Sequence, residues 1–199
     1  KLVDLGCKLI VVACNTATTN AIEVLRKKFN IPIVGIEPAI KPAMLETKSN
    51  NIGVLATEKT LSSNLFLKTS DRFSMGVNIH EQIGFDLVRI IEENGINEEL
   101  LTPKLKEYIE PMLEKNIDHL VLGCTHYYYL ICILKKILPS GVKILDSTQA
   151  VTKRVEYLLK DYNICSNALK ARDIFLCTGN DHVINKFIGR GNKIDKITI

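Results

Sequence analysis

The stretch KLIVVACNTATTNAI, residues 8–22, joins an apolar run to a cysteine that several polar side chains follow. Its apolar run, residues 9–13, predicts a fully buried strand, because short β-branched runs are typical of parallel sheets. Residues 17–29 predict a helix, because apolar side chains recur at intervals of four along one face: Ala17, Ala21, Leu25 and Phe29. Cys14 therefore stands where a predicted strand ends and a predicted helix begins.

The same arrangement recurs at residues 119–133, HLVLGCTHYYYLICI. The cysteine of this second stretch is Cys124, which lies 110 positions after Cys14. At the same offset the apolar run IPIVGI, residues 31–36, falls on GVKILD, residues 141–146. The chain is therefore predicted to contain two related α/β halves, each with a strand, a cysteine and a helix in that order.

Short apolar runs alternate with helical patterns along the rest of the chain. Further strands are predicted at 31–36, 51–57, 76–83, 118–123, 142–146, 173–177 and 194–199. Helices are predicted from about residue 60, through 87–95, and at 98–115, 126–138, 149–161 and 181–188. In the 98–115 segment Thr102 is a predicted N-cap before Pro103, and Pro111 is expected to kink or restart the helix. This alternation predicts an α/β fold with parallel sheets and right-handed crossovers.

The composition excludes several classes of protein. The 199 residues are 46% hydrophobic and 24% charged, which is ordinary for a folded protein and wrong for a disordered or collagenous one. A net charge of +4 with scattered lysines predicts no nucleic-acid partner. The longest apolar stretch, residues 120–138, contains charges and falls short of the roughly 20 residues that a membrane helix needs. With no signal peptide in the pattern, we expect a cytoplasmic protein without a membrane partner.

The six cysteines have no C-x-x-C spacing, and the four histidines are scattered. This pattern predicts neither a metal site nor a disulfide framework. We expect reduced thiols, most of them buried as small hydrophobic side chains. Cys14 and Cys124 differ from the others because of their matching positions at strand ends.

Polar or reactive side chains follow nearly every predicted strand. In open parallel sheets, ligands bind beyond the carboxyl ends of the strands. These ends read Cys14-Asn15-Thr16, Ala56-Thr57, Cys124-Thr125-His126, Asp146-Ser147-Thr148 and Cys177-Thr178-Gly179. Simple N-capping of the following helices accounts for any one of them. Five such ends, with two thiols in matching places, favour a site for a carboxylate or a phosphate.

A thiol at a helix start is suited to proton transfer. Helix N-termini lower a thiol pKa from about 8.5, and a dipole worth up to roughly 2 kcal/mol would bring it to around 7. Two such thiols facing each other across a cleft could remove a proton from one face of a substrate and deliver one to the other face. That reaction inverts a stereocentre without a cofactor. A nucleophilic role and a thiol-redox role remain alternatives, and the lack of C-x-x-C argues against the redox role.

The segments ACNTATTNAI, PIVGIEPA, GVLATEKTLSS, LGCTHY and CTGND occur in this order and together resemble the glutamate racemase family of the aspartate/glutamate racemase superfamily. The resemblance covers essentially the whole chain. It implies two pseudo-symmetric, flavodoxin-like α/β domains that face a central cleft, the first formed by 1–38 and 147–199 and the second by 39–146. It also implies cofactor-independent interconversion of L- and D-glutamate, supply of D-glutamate for peptidoglycan, and a homodimer.

The resemblance also implies roles for individual residues. Cys14 and Cys124 match the two catalytic thiols, and Asn15, Thr16, Thr125 and His126 match substrate-binding residues beside them. Thr57 and Thr60 match a hydroxyl pair beside the substrate carboxylate. Glu92 and His126 match groups that assist catalysis on the side of Cys124. From the sequence pattern alone, Glu92 could equally be a solvated side chain on an amphipathic helix, and His126 a buried or capping histidine.

The chain departs from the family pattern in several places. Members of the family usually begin with a Gly-rich strand and loop that carries an Asp-Ser pair, and nothing before KLVDLGC matches it. We therefore expect a missing N-terminal segment and, for this chain alone, low activity or only carboxylate binding. Tyr128 replaces a usual Pro, Gly84-Phe85 and Arg89 replace a Pro-containing pattern, and Asn180 replaces an Asp. An aspartate racemase is the near alternative, but those enzymes tend to carry Glu where this chain has His126.

Overall fold

The computed structural model describes residues 1–73, 76–167, 173–188 and 192–198. Its strands are β1 (Ile10–Val12), β2 (Ile33–Gly35), β3 (Asn51–Ala56), β4 (Asn78–Ile83), β5 (His119–Gly123), β6 (Lys143–Leu145), β7 (Phe175–Cys177) and β8 (Ile194–Lys196). Its α-helices are α1 (Asn15–Lys28), α2 (Ile40–Glu46), α3 (Glu58–Leu61), α4 (Asn64–Phe73), α5 (Leu87–Asn94), α6 (Glu98–Leu113), α7 (Ile131–Ile137), α8 (Thr148–Asp161) and α9 (His182–Phe187). A 3-10 helix, Thr125–Leu130, lies between β5 and α7.

The strands form three sheets in the described part of the chain, and every strand pair in them is parallel. β1 pairs with β2, β7 pairs with β8, and a four-stranded sheet has the order β4-β3-β5-β6. The predicted α/β fold with parallel sheets is confirmed. The four-stranded sheet lies within residues 51–145, whereas the two-stranded sheets come from the start and the end of the chain. The division at 38/39 and 146/147 stays a prediction.

The four-stranded sheet is covered by helices on both faces. All five residues of β5 are buried, and their side chains alternate between two hydrophobic clusters. Leu120 and Leu122 pack into the cluster formed with α5, α6 and α7, while Val121 packs on the other face against α2 and α4. Because successive strand side chains point to opposite faces, a continuous apolar run such as HLVLG suits a strand buried on both sides.

The β1–β2 sheet and helix α1 differ from two expectations drawn from residues 8–22. The prediction that residues 9–13 are fully buried is wrong, because within the described ranges β1 has β2 as its one partner strand and Val11 remains 38% exposed. The predicted apolar face of α1 is also wrong, since the buried side chains are Asn15, Thr18, Thr19 and Ile22. Thr18 is buried because its hydroxyl donates to the Val12 carbonyl (3.1 Å) and accepts from the Ile36 N–H (3.0 Å). These hydrogen bonds satisfy a polar side chain at the place where α1 packs onto the sheet.

Helix α6 runs without a break through two prolines. The prediction of an N-cap at Thr102 is wrong, because Asn97 caps the helix by accepting from the N–H groups of Glu99 and Leu100. A restart at Pro111 is wrong as well, because one helix continues from Glu98 to Leu113, and the alternative of a kink there stays a prediction. A proline removes one backbone hydrogen bond, and burial of five side chains along α6 offsets that loss: Leu101, Leu105, Tyr108, Ile109 and Met112.

The internal repeat is visible in the structure. The offset of 110 carries β2 onto β6 residue for residue and carries β1 into β5. The helices after β1 and β5 differ, however. Residues 15–28 after β1 form the single helix α1, whereas the predicted helix at 126–138 after β5 is divided into the 3-10 helix and α7. None of the helices that the structure describes is both long enough and apolar enough to cross a membrane.

Candidate active site

Cys14 links β1 to α1. Its backbone is extended (φ −149°, ψ 121°), and its Sγ accepts a hydrogen bond from the Ala17 N–H at 3.5 Å. The thiol therefore occupies the N-cap position that Ser, Thr, Asp or Asn usually fills. The residue is exposed. A solvent-accessible sulfur at the positive end of a helix can accept a proton or carry a negative charge.

Cys124 occupies the equivalent position between β5 and the 3-10 helix. Its backbone angles, φ −147° and ψ 135°, are close to those of Cys14. Its Sγ lies 3.9 Å from Nδ1 of His126, and its side chain is partly buried. The expectation that most cysteines are buried is wrong: Cys7, Cys124 and Cys177 are partly buried, and Cys14, Cys132 and Cys165 are exposed. All six are free thiols, and the matching backbone of Cys14 and Cys124 distinguishes this pair.

The protonation of Cys124 differs from the sequence expectation. Its pKa is raised to about 11, chiefly by burial and to a smaller extent by the nearby charges of Cys14 and Glu92. The N–H groups of His126 and Tyr127 favour the thiolate but are outweighed. The predicted lowering of the thiol pKa is therefore wrong for Cys124, because desolvation of the anion exceeds the stabilisation that the helix start provides. Since the charge of Cys14 contributes to this pKa, the two thiols lie close enough to interact.

His126 and Glu92 form a contact between two elements that are distant in sequence. Nε2 of His126 lies 2.9 Å from Oε1 of Glu92 on α5, and both side chains are partly exposed. The structure therefore gives Glu92 a specific partner. Cys124, His126 and Glu92 form a continuous line of contacts from the thiol to the carboxylate.

Three threonines meet near the start of α1. The hydroxyl of Thr16 lies 2.7 Å from that of Thr57 and 3.0 Å from that of Thr60, and the latter two are 2.9 Å apart. Thr57 follows β3, so this cluster joins the strand end after β1 to the strand end after β3. The predicted sites Thr16, Thr57 and Thr60 are thus brought together.

A cavity of about 150 Å³ lies beside Cys124. It is lined by Asn15, Ile36, Leu122, Cys124, Thr125, Tyr128, Tyr129, Asp146, Ser147 and Thr148. Asn15 is 3% exposed, and its Nδ2 has no hydrogen-bond partner among the described residues. Buried amide donors are normally paired. A carboxylate in the cavity would supply the acceptor that this amide lacks.

The cavity beside Cys124 is lined by residues from three of the five predicted strand ends, those at 14–16, 124–126 and 146–148. The end at 177–179 is not among its lining residues, and Cys177 instead contacts the Asn180 carbonyl at 3.8 Å. A second cavity of about 400 Å³ connects Thr57 to Glu92 and is also lined by Gly84, Phe85 and Arg89. Sequence reasoning did not assign Tyr129 to the site, although the YYY run directly after Cys124-Thr125-His126 was a signal for it.

Among the described residues, no group of three or more His, Cys, Asp or Glu side chains is placed to hold a metal ion. The site therefore consists of two thiols at equivalent strand ends, a histidine–carboxylate pair, a hydroxyl cluster and one unpaired buried amide. In chemical terms, it offers proton-transfer groups beside hydrogen-bond donors for an anion.

The fold and the site define a parallel α/β protein in which two cysteines stand at matching strand ends. Residues 1–155 match the family model of Asp/Glu/hydantoin racemases, and the chain belongs to this family. The resemblance drawn from the cysteine motifs is confirmed by this match.

Similar proteins are glutamate racemases. One from Ralstonia pickettii (strain 12J) is 38% identical over 179 residues, 90% of this chain and 64% of that protein. One from Ralstonia nicotianae is 36% identical over 179 residues, 90% of this chain and 65% of that protein. The crystal structure of Escherichia coli glutamate racemase with L-glutamate and the activator UDP-MurNAc-ala has a TM-score of 0.81 and 31% identity, covering 96% of this chain and 74% of that chain. This chain thus spans just under two thirds of the length of the two Ralstonia relatives.

Proposed function

We propose that this protein is a glutamate racemase that interconverts L- and D-glutamate by two-thiol proton transfer without a cofactor. The observation that carries the proposal is the pair of cysteines, Cys14 and Cys124, in nearly the same backbone conformation at two strand ends and close enough for their charges to interact. Family membership and the E. coli structure with L-glutamate support the choice of glutamate as the substrate.

The reaction divides into two proton transfers at Cα. One cysteine, as thiolate, takes the Cα proton, and the electron pair of the broken C–H bond stays on the substrate as a carbanion. The other cysteine, as thiol, gives its proton to the opposite face, so the products are the inverted amino acid and the complementary thiol–thiolate pair. The raised pKa of Cys124 favours the thiol near neutral pH, and the thiol is the form that donates a proton.

The remaining residues bind and orient the substrate. Asn15, whose buried Nδ2 has no hydrogen-bond partner among the described residues, and Thr125 both line the cavity beside Cys124, and an amide and a hydroxyl are suited to binding a carboxylate. Thr16, Thr57 and Thr60 offer a cluster of hydroxyl groups at the strand ends after β1 and β3. His126 lies next to Cys124 and is oriented by Glu92, so it assists proton transfer to and from that sulfur.

The proposal extends to the setting of the reaction. D-Glutamate made in the cytoplasm would supply peptidoglycan synthesis, and the active form would be a homodimer in which residues 1–38 and 147–199 form one domain and 39–146 the other. These statements are what the resemblance to glutamate racemases implies, and the family match supports the racemase assignment on which they depend.

The test is isotope incorporation at Cα. The protein is incubated with L-glutamate or L-aspartate in D₂O, and deuterium at Cα and the D-enantiomer are measured by mass spectrometry and chiral chromatography. We expect both signals with glutamate, and a loss of about a hundredfold or more in Cys14→Ala and in Cys124→Ala, because general acid–base groups contribute about 10²–10⁴ in rate. Cys132→Ala, which removes an exposed thiol on α7, is the matched control.

Two outcomes would overturn the proposal. Without Cα deuterium from glutamate, the substrate assignment fails, and incorporation into aspartate alone would identify an aspartate racemase. If either active-site variant turns over as fast as Cys132→Ala, the two-thiol mechanism is wrong.

A further inference from the structure

Helix α9 contacts α5 through one lysine. The Nζ of Lys186 donates hydrogen bonds to the main-chain carbonyls of Glu92 and Glu93, both at 2.7 Å. Lys186 comes more than ninety positions after these residues, so the contact joins the last part of the chain to the central part. One of the two carbonyls belongs to Glu92, the residue whose side chain contacts His126.

The position of these carbonyls explains the contact. Helix α5 ends at Asn94, and Gly95 follows it with φ +68°. The last four carbonyls of a helix have no partner within the helix and carry its negative dipole end. A lysine ammonium, which has three donors, pairs with them and neutralises that end. Lys186 therefore holds the final turn of α5, where Glu92 lies.

The next residue of α9 contacts the other side of the site. The ring of Phe187 packs on the ring of Tyr129 with centroids 4.9 Å apart. Tyr129 belongs to the 3-10 helix that carries His126, and it lines the cavity beside Cys124. Consecutive residues of α9 thus contact the two elements whose side chains form the His126–Glu92 pair.

We propose that α9 sets the spacing between α5 and the 3-10 helix, and that Lys186 is a positioning residue for the Glu92–His126–Cys124 line. This inference rests on the proposed function, because it assigns Lys186 an effect on proton transfer at Cys124. Lys186 is not among the residues that line the cavity beside Cys124, and it acts through the main chain of Glu92 and Glu93.

The need for such a residue follows from the exposure of the pair it positions. The side chains of His126 and Glu92 are 31% and 37% exposed, so water competes for their hydrogen bond. An exposed ion pair contributes little by itself to holding two elements together. Catalytic geometry is nevertheless sensitive, since a displacement of about 1 Å can cost about a hundredfold in rate. The contacts that Lys186 and Phe187 make with α5 and the 3-10 helix restrain the positions of the two elements that carry Glu92 and His126.

The variant Lys186→Met keeps the aliphatic length and removes the ammonium. We expect kcat to fall roughly tenfold, the lower end of the loss when a partner that orients a functional histidine is removed. KM should change less than about twofold, because Lys186 does not touch the substrate cavity. Lys186→Arg retains charged donors and should recover most of the activity. Lys136→Met is the matched control, since Lys136 also joins two helices by contacting Glu98 on α6 at 2.6 Å.

Isotope effects distinguish a positioning role of Lys186 at Cys124 from a general structural role of this lysine. The ratio of kcat/KM in the two directions must equal the equilibrium constant, so an effect on one thiol cannot appear in that ratio. Slower proton transfer at Cys124 is measured instead by the deuterium isotope effect on the rate. We expect this isotope effect to rise for the Cα-deuterated enantiomer whose deuteron is transferred to Cys124. For the other Cα-deuterated enantiomer we expect it to stay constant. An equal rise for both enantiomers, or a rate within twofold of Lys136→Met, would refute the positioning role.

Hydrogen exchange tests the inference independently of catalysis. Amides in residues 91–95 should exchange faster in Lys186→Met than in the parent protein, whereas Lys136→Met should leave them unchanged. If the amides of residues 91–95 exchange equally fast in Lys186→Met and in the parent protein, Lys186 does not hold the end of α5 and the inference is refuted. A parent protein without racemase activity but with this exchange pattern would sink the proposed function and leave the structural part of the inference standing.

Discussion

Replacing Glu92 by Gln removes the negative charge at the far end of the contact line that reaches Cys124. Glu92 Oε1 is 2.9 Å from His126 Nε2, and His126 Nδ1 is 3.9 Å from Cys124 Sγ. The carboxylate charge is one of the causes that raise the pKa of this thiol, although burial is the largest. The substitution keeps a side chain of the same length, so the expected change is electrostatic.

The magnitude follows from Coulomb's law. Across the imidazole ring the carboxylate and the sulfur are at most roughly 9 Å apart, which corresponds to about 0.5 kcal/mol in water and about 2 kcal/mol at an effective dielectric constant of 20. The pKa of Cys124 should therefore fall by about 0.4 to 1.5 units in Glu92→Gln. The thiolate fraction near pH 8 rises accordingly, but a thiolate of lower pKa is a weaker nucleophile. The net gain in alkylation rate is about 1.5- to sixfold.

The assay is labelling with iodoacetamide between pH 7 and pH 9, with the Cys124 peptide quantified by mass spectrometry. Labelling should rise in Glu92→Gln and stay constant in Glu93→Gln, since Glu93 pairs with the exposed Arg89 at 3.4 Å. If labelling of Cys124 slows in Glu92→Gln, the carboxylate favours the thiolate instead of opposing it, and the prediction is refuted.

Two further predictions concern stability. The Asp118 carboxylate accepts from the hydroxyl of Thr47 at 2.7 Å and from two main-chain N–H groups, which lower its pKa. Its stabilisation is present above pH 3.8, the unperturbed value, and is lost as the pH falls below it. Asp118→Asn should therefore lower the free energy of unfolding by about 2 kcal/mol at pH 7, measured by urea titration, and by clearly less at pH 3; an equal loss at both values would contradict this. Tyr127→Phe, which removes a buried hydrogen bond to the Gly84 carbonyl (3.1 Å), should cost about 1 kcal/mol, and the same loss in exposed Tyr128→Phe would count against that contact.

The location of the site could be predicted from local patterns. The cysteines at residues 14 and 124 follow apolar runs and precede helices, and both features depend on neighbours in sequence. Parallel strand ends meet at one edge of a sheet, so the approach of Thr125 and Ser147, which follow the paired strands β5 and β6, also follows from the order of elements. Asn15 follows a strand of another sheet, and only the tertiary structure brings it to the same cavity.

The contacts around these residues could not be predicted in the same way. The face of α1 that is buried depends on hydrogen bonds between Thr18 and two strands, not on apolar spacing. The continuity of α6 depends on packing against the sheet, which outweighs the local effect of Pro111. The partner of Glu92 lies 34 positions away, on a 3-10 helix whose turn no periodicity distinguished from an α-helix.

The sequence by itself determined the alternation of strands and helices, the repeat at an offset of 110 and the two cysteines at equivalent strand ends, because each is a pattern of neighbouring residues. Only the tertiary structure decided the protonation of Cys124. The helix start favours its thiolate, but burial among residues from distant parts of the chain costs more, and the pKa rises to about 11. Desolvation depends on everything that surrounds a group in space, and for that reason no local pattern could have predicted it.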